Sequence, residues 1–251
     1  LDEFVTIPQE AITIVAGRPS HGKTTLLLNM FLNMIEEYPE KRFFFFSYEE
    51  TKKQLAIKCL NILANKQLHE YKNNQALEAY LRDGKTDTQE VEDAKKKYQD
   101  RVEAGRLWLI DEPYYVDDLV ETITYLQDRY GNLGAIFVDY IQKVKIRGKF
   151  ATRQLELQKI SEEILETTKK AHLPIVLGCQ LNREGVKDDE KGVTLSRLRE
   201  SGDIEQDSNL VLGLYNEAMQ TAEKEDKPLT DTEVELIVKI LKNRNGTVNK
   251  K

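Results

Sequence analysis

Residues 12–30 read ITIVAGRPSHGKTTLLLNM, and this stretch restricts the possible folds of the chain more than any other. A short run of apolar and β-branched residues comes first, which is typical of a buried strand. A turn with two glycines follows, and then an apolar stretch with helical spacing. The turn, residues 17–24, fits G-x-x-x-x-G-K-[ST] at every fixed position. Because the motif follows a strand and opens a helix, it lies in the context in which it binds phosphate.

Each fixed residue of this loop has a physical task. The glycines let the backbone curl so that its N–H groups surround phosphate oxygens, and the start of the next helix adds partial positive charge. Lys23 can reach the β- and γ-phosphates, and the Thr24 hydroxyl can be a ligand of Mg²⁺. The alternative is a turn that binds no ligand. The expected nucleotide-binding residues are Gly17, Arg18, Pro19, Ser20, His21, Gly22, Lys23, Thr24 and Thr25.

Short β-branched or aromatic runs alternate with helix-like stretches along the whole chain. Near-continuous apolar strands separated by amphipathic helices indicate a parallel sheet that is covered on both faces. The predicted fold is therefore α/β and doubly wound. The predicted strands are 12–17, 42–48, 107–111, 135–140, 174–180, 210–215 and 234–241, and the predicted helices are 23–37, 51–64, 117–130 and 153–171.

Two polar segments interrupt this pattern. In residues 65–106 charges of alternating sign at helical spacing suggest exposed helices, either a lid or hairpin between the second and third strands or a solvated spacer. Residues 216–233 fit a long loop or β-excursion before the last strand. No Pro/Gly/Ser linker and no internal repeat divides the chain, so we expect a single domain over residues 1–251.

Composition narrows the class of protein. The net charge of −6 weighs against a protein that coats nucleic acid over its whole surface, although a local basic channel remains compatible with it. No apolar run approaches the roughly 18 residues of a membrane helix, and the start does not resemble a secretory signal. Cys59 and Cys179 are far apart and the three histidines are scattered, which argues against a disulfide framework or structural zinc. We therefore expect that the protein does not associate with a membrane and that it is located in the reducing cytoplasm.

Hydrolysis of a nucleotide also needs an acid for the metal and a carboxylate for the attacking water. Asp139 ends the buried run AIFVD, and ligands of open parallel sheets bind outside the carboxyl ends of the strands, so Asp139 is placed to hold Mg²⁺ through water. Its alternative is a cap after a core strand. The run RFFFFSYEE ends in Glu49 and Glu50, either of which could activate a water. Their alternative is to favour the dipole of the next helix, and the sequence leaves the choice between the two open.

Several tracts occur in the order seen in DnaB-type replicative helicases: AGRPSHGKTT, SYEE, GAIFVDYIQ, CQLNRE, RLRESGDIEQDSNLVLGLY and LKNRNG. Nearly the whole chain resembles the C-terminal motor domain of that family. Residues 198–207 are the most specific part, because recombinases and KaiC-type ATPases share only the phosphate loop and the general sheet. The resemblance implies a RecA-like P-loop NTPase fold with a mostly parallel, twisted sheet, and it implies ATP and Mg²⁺ as ligands.

The resemblance also assigns roles to residues outside the loop. Glu49 would be the catalytic glutamate, and Asp139 the aspartate associated with the metal. Gln180, at the end of IVLGCQ, would sense the γ-phosphate, which suits an amide that can donate to phosphate oxygen. Lys242 and Arg244 would reach the nucleotide of a neighbouring subunit, where such a finger is worth about 10³–10⁵ in rate. Their alternative is a solvated strand end before a turn.

Residues 199–202 would form part of a loop that lines the pore of a ring and contacts DNA through Arg199, Glu200 and Gly202. Backbone N–H groups in such a loop can follow phosphates without reading bases. The alternative is a helix cap by Ser201 or Asp203. Because a finger in trans needs a head-to-tail interface, a closed ring is expected. The resemblance implies a homohexamer on single-stranded DNA, movement from 5′ to 3′, and primase or a helicase loader as partners.

The chain also departs from the family's pattern. We expect the N-terminal collar domain of the family to be absent from residues 1–251, and the family's further strand after Asn245 and Gly246 to be absent too, either because the sequence is trimmed or because it comes from a minimal phage or mobile-element relative. Two other functions stay open: a KaiC- or recombinase-like ATPase switch that does not translocate, and a nucleotide-binding partner module of a helicase. Turnover that ignores DNA would favour the switch. Lys242 and Arg244 argue against the module, because a protein that only binds nucleotide does not need them.

Overall fold

The computed structural model describes residues 5–64, 89–112, 114–181, 193–195, 198, 204–225 and 235–246. Strands from these ranges form one seven-stranded sheet. They are β1 Ile12–Gly17, β2 Arg42–Ser47, β3 Leu107–Ile110, β4 Leu133–Asp139, β5 Ile175–Gln180, β6 Ser208–Asn216 and β7 Leu236–Asn243. Their order is β3-β2-β4-β5-β1-β6-β7. All neighbouring pairs are parallel except β6 and β7, which are antiparallel.

The helices of the described residues connect and cover these strands. They are α1 Lys23–Glu37, α2 Lys52–Leu63, α3 Gln89–Glu103, α4 Val116–Tyr130, α5 Arg153–Lys170, α6 Ile204–Asp207 and α7 Glu217–Glu225, with a 3₁₀ helix at Ile141–Lys143. Local chemistry sets several of the ends. Thr51 and Gln54 form a capping box at the start of α2, and Gly131 ends α4 in the left-handed conformation. None of these helices combines the length and the apolar character needed to cross a membrane.

The sheet separates two hydrophobic cores, and β2 contributes to both. Phe43 and Phe45 face the core that contains α1 and α2, whereas Phe44 and Phe46 face the core that contains α4 and α5. Successive side chains of a strand point to opposite faces, so a run of four phenylalanines fills both layers. Phe31 of α1 makes edge-to-face contact with the Phe45 ring at a centroid distance of 5.6 Å. Burial on both faces fixes the strand in the interior of the sheet.

The predicted fold class is confirmed: the sheet is mostly parallel, with helices on both faces. Every predicted strand and every one of the four predicted helices is present, with ends that differ from the prediction by no more than two residues. These elements carry either continuous apolar runs or a clear apolar helix face. The hydrophobic pattern alone was therefore enough to locate them.

The prediction of a loop or β-excursion over residues 216–233 is wrong for its first half, where Glu217–Glu225 is the helix α7. Its sequence, EAMQTAEKE, consists largely of good helix formers. The Asn216 side chain caps the start, because its Oδ1 accepts the Met219 N–H at 2.9 Å. Residues 226–234 lie outside the described part of the chain.

Within the charged segment 65–106, residues 65–88 lie outside the described part, and Gln89–Glu103 forms α3. The helical prediction is confirmed for α3, but the helix is not exposed all round. Val91 and Ala94 are buried in the contact of α3 with α2 and β3. A lid function of the segment stays a prediction.

Candidate functional site

The phosphate loop connects β1 to α1 at the carboxyl edge of the sheet. Gly22 occupies the N-cap position of α1 with φ 86° and ψ 14°, a left-handed conformation that glycine adopts without strain. The loop is closed on itself, because the His21 N–H donates to the Arg18 carbonyl at 3.3 Å. The first N–H groups of a helix have no partner within it, and Gly22 has no side chain to cap them. They are therefore available to an anion.

His21 anchors this loop to the sheet. Its side chain is buried, and its Nδ1 accepts the N–H of Asn216, at the end of β6, at 3.3 Å. This contact assigns Nδ1 as the acceptor and the proton to Nε2. The sequence placed His21 in the loop without a distinct task. In the structure His21 connects the loop to the end of β6, one of the two strands beside β1.

Lys23, Thr24 and Asp139 come together beside the loop. The Thr24 hydroxyl donates to Asp139 Oδ2 at 2.5 Å, and Lys23 Nζ lies 3.5 Å from Asp139 Oδ1. Lys23 Nζ also lies 4.1 Å from the centre of the Tyr140 ring, which attracts a cation. Asp139 is only 1% exposed, so its charge is balanced inside the protein rather than by water. The three side chains that the sequence singled out for phosphate and metal binding are thus neighbours.

A missing side chain makes room for this group. A Cβ added at Gly178 of β5 would lie 2.8 Å from Asp139 Oδ1 and 3.3 Å from Lys23 Cε. A distance of 2.8 Å is shorter than real Cβ contacts, and 3.3 Å is unusually short, so any larger residue at this position would force Asp139 to move and would crowd Lys23. Sequence reasoning missed Gly178. Its signal was a lone glycine in the apolar run IVLGCQ, which marks a close approach.

The residues of this site fit a magnesium nucleotide. Asp139 Oδ1 is buried without a hydrogen-bond partner, and the nearby ammonium of Lys23 lies at a distance that is long for a hydrogen bond. Such an oxygen suits a cation held through water. Among the described residues no three His, Cys, Asp or Glu side chains cluster into a metal cage. Mg²⁺ commonly takes one or two protein ligands and completes its shell with water and phosphate oxygens.

The two glutamates after β2 differ in their surroundings. Glu50 is tied down: its Oε1 accepts from Lys58 Nζ at 2.5 Å, and its backbone N–H donates to Ser47 Oγ at 3.0 Å. Glu49 is exposed. Burial raises the pKa of the Tyr140 hydroxyl, and the nearby charges of Glu49 and Asp139 raise that pKa further. Glu49 is therefore the more exposed of the two carboxylates, and it lies near Tyr140, the residue that follows Asp139.

Gln180 ends β5 directly beside the start of the phosphate loop. The parallel register pairs it with Gly17, and the next residue, Leu181, donates its N–H to the Gly17 carbonyl at 3.0 Å. Gln142, from the segment after β4, contacts the backbone of Gln180. Sequence reasoning missed Gln142, because a contact to backbone atoms leaves no residue pattern. The predicted sensor thus lies at the same sheet edge as the loop.

Lys242 and Arg244 lie at the end of β7, and their partners belong to α6. Lys242 Nζ donates to the Glu205 carbonyl at 2.5 Å, and Arg244 Nη2 donates to the Gln206 carbonyl at 2.5 Å. Partial burial lowers the pKa of Lys242, and the neighbouring charge of Arg244 lowers it further. Their predicted contact with a second subunit is not tested by a single chain. The predicted DNA-contacting residues Arg199, Glu200 and Gly202 lie outside the described residues.

The mostly parallel sheet, with the predicted phosphate loop at the end of a central strand, has the RecA-like fold. A solved DnaB-like replicative helicase, described with its interactions with primase, has the same fold. It matches with a TM-score of 0.78 and 21% sequence identity, over 97% of this chain and 54% of that one.

A family model, the DnaB-like helicase C terminal domain, matches residues 1–251, and the chain belongs to this family. Replicative DNA helicase DnaB of Helicobacter pylori is 28% identical over 220 residues, which are 87% of this chain and 42% of that protein. The Rickettsia typhi protein of the same name is 29% identical over 223 residues, 85% of this chain and 43% of that protein. The chain therefore spans less than half the length of these curated relatives.

Proposed function

We propose that this chain is the ATP-hydrolysing motor of a replicative DNA helicase. The observation that carries the proposal is the contact of Lys23 and Thr24 with the buried Asp139, at the strand ends of a chain from the DnaB-like helicase family. Relatives named as replicative helicases support the assignment of DNA as the substrate. They extend well beyond the matched region, so the activity of the whole relative enters here as part of the proposal.

The chemistry is the transfer of the γ-phosphoryl group of ATP to water. Residues 17–25 hold the phosphates through backbone N–H groups, and Lys23 neutralises the β- and γ-oxygens. Thr24 would bind Mg²⁺ directly and Asp139 would hold it through water, and the metal would supply charge stabilisation. Glu49 orients the water and accepts its proton. As the bond from water oxygen to phosphorus forms, the bond from phosphorus to the β–γ bridging oxygen breaks. ADP and inorganic phosphate leave.

The site is completed by a second subunit. Lys242 and Arg244 bind carbonyls of α6, and the end of β7 lies level with the start of β1, at the other edge of the sheet from the phosphate loop. We therefore assign them to the nucleotide of a neighbour. A head-to-tail interface of this kind closes into a ring, for which we propose six subunits. Arg199, Glu200 and Gly202 would hold single-stranded DNA in the pore, and movement would run from 5′ to 3′. Primase or a helicase loader would bind the assembled ring.

The test is the dependence of ATP hydrolysis on DNA. Phosphate release is measured with no DNA, with a single-stranded oligonucleotide and with the matching duplex. The proposal predicts turnover that the single strand stimulates and the duplex does not, with Lys23→Ala as the inactive control. Turnover that is indifferent to DNA would contradict a motor and favour an ATPase switch.

A further inference from the structure

Gln142 holds both backbone groups of Gln180. It lies in the 3₁₀ helix Ile141–Lys143, which follows closely after Asp139, and its side chain reaches across to the end of β5. Its Oε1 accepts the Gln180 N–H at 3.1 Å, and its Nε2 donates to the Gln180 carbonyl at 2.8 Å. Nε2 also lies 3.1 Å from Cys179 Sγ. The pairing of β4 with β5 ends at Leu177. Beyond it, the side-chain amide of Gln142 makes the hydrogen bonds to Gln180 that a neighbouring strand would otherwise make.

The segment that carries Gln142 is itself fixed. Arg153 of α5 donates from Nη2 to the Gln142 carbonyl at 2.7 Å and to the Val144 carbonyl at 3.3 Å. Ile141 and Val144 are completely buried in the core. The side chain of Gln142 therefore extends from a rigid base, and its contact can restrain Gln180 rather than follow it.

The contact requires an amide of this length. One end of the side chain must accept a hydrogen bond and the other must donate one, which Asn and Gln alone can do in this arrangement. Asn is shorter by one methylene group, so its amide would not reach the Gln180 backbone. On its other side Gln180 is followed by Leu181, whose N–H donates to the Gly17 carbonyl at 3.0 Å. Gln180 is thus held between the phosphate loop and the segment that follows Asp139.

We propose that Gln142 is a positioning residue that fixes the Gln180 backbone, so that the Gln180 amide can distinguish ATP from ADP. The inference rests on the proposed function, in which Gln180 senses the γ-phosphate. Since Gln142 and Asp139 share one short segment, the contact also links the metal side of the site to the sensor side. A displacement of about 1 Å at a reacting site can cost about 10²-fold in rate, so backbone support of this kind matters.

The test compares Gln142→Met, which keeps the size of the side chain and loses its two hydrogen bonds to the Gln180 backbone, with Gln180→Ala and the double variant. Dissociation constants for ADP and for a non-hydrolysable ATP analogue are measured, together with kcat and KM for ATP. Gln142→Met is expected to lose discrimination between the two nucleotides and to lower kcat about 10- to 100-fold, with KM changed less than about threefold. The double variant should be no worse than Gln180→Ala. Gln99→Met, at an exposed position of α3, is the matched control.

Three outcomes would overturn the inference. Unchanged discrimination in Gln142→Met would show that the contact is not needed, and additive losses in the double variant would show that Gln142 acts by another route. If Gln180→Ala still distinguished ATP from ADP as well as the wild type does, Gln180 would not be the sensor. If Gln142→Met melts at a much lower temperature, Gln142→Glu replaces it, because that variant keeps the size and loses only the donor. A wild-type chain that does not hydrolyse ATP contradicts the proposed function, whereas the binding measurements still decide the role of Gln142.

Discussion

At the scale of single residues, the candidate site depends on the side chains that contact the buried carboxylate of Asp139. Asp139 is covered by protein, and its two oxygens face the Thr24 hydroxyl and the Lys23 ammonium. A buried carboxylate is costly unless such partners are held in place. Gly178 provides the space in which they meet, because it has no side chain.

Gly178→Ala should lower ATP hydrolysis much more than it lowers the stability of the fold. The new Cβ would lie 2.8 Å from Asp139 Oδ1, so the carboxylate must move. We expect hydrolysis to fall about 10²-fold and the free energy of unfolding to fall by about 1–3 kcal/mol. Gly213→Ala is the matched control, because its Cβ would lie 2.7 Å from Leu241 Cδ1 in the core instead of at the site. Equal losses of hydrolysis in both variants would contradict the special role of Gly178.

Glu49→Gln and Glu50→Gln should have different effects. Glu49 is exposed near Tyr140, and its substitution removes the proposed base, so phosphate release should fall about 10²- to 10⁴-fold. Glu50 binds Lys58, and its substitution should lower the free energy of unfolding by about 1 kcal/mol or less, with hydrolysis retained. Steady-state phosphate release and urea unfolding measure the two effects. The reverse pattern would assign the base to Glu50.

At the scale of elements, two positively charged side chains at the end of β7 form hydrogen bonds with the backbone of the short helix α6. Lys242 and Arg244 donate to backbone carbonyls of Glu205 and Gln206, groups that the end of a helix leaves without an internal partner. On the other side of α6, the Ser161 hydroxyl of α5 donates to Asp207 Oδ2 at 2.6 Å. The predicted finger residues thus lie against the tract that carries the predicted pore loop.

Arg244→Ala should abolish turnover while leaving nucleotide binding nearly intact. An arginine finger contributes to the transition state in trans and little to ground-state affinity, so kcat should fall about 10³-fold or more. Loss of the contact with Gln206 should cost stability only about 0.5–1.5 kcal/mol. Arg129→Ala, which removes an exposed arginine bonded to Tyr125 on α4, is the control. Wild-type turnover in Arg244→Ala would exclude the finger.

The elements that the sequence predicted share a visible hydrophobic pattern, and those it did not predict lack one. The four phenylalanines of β2 indicate a buried strand without further information. By contrast, α7 is polar, and its start depends on the Asn216 cap, which a pattern of apolar residues does not reveal. In α3 the charges conceal the short face that buries Val91 and Ala94.

The same distinction applies to the site. Lys23, Thr24 and Asp139 follow from a motif and a strand end, because chemistry fixes the residue types there. The contact of Gln142 with Gln180 joins residues 38 positions apart through backbone atoms. Such a contact depends on the order of strands in the sheet, and the sequence pattern does not determine that order. The hydrogen bond of His21 to Asn216 was hidden for the same reason.

At the scale of the whole molecule, strand order explains how one edge collects the site. β1, β4 and β5 are neighbours in a parallel sheet, so the phosphate loop, Asp139 and Gln180 emerge at the same carboxyl edge. Lys242 and Arg244 lie at the end of β7, an edge strand of the described sheet, and they bind α6 rather than the loop. A site that needs them must therefore take them from another copy of the chain.

The most direct test of this account mixes two inactive variants. Lys23→Ala keeps the finger and loses its own site, whereas Arg244→Ala keeps the site and loses the finger. In equal mixtures about one interface in four combines an intact site with an intact finger, so ATP hydrolysis should return to about a quarter of the wild-type rate and should rise with protein concentration. A mixture as inactive as its two components, or full activity of Arg244→Ala alone, would contradict a site shared between subunits.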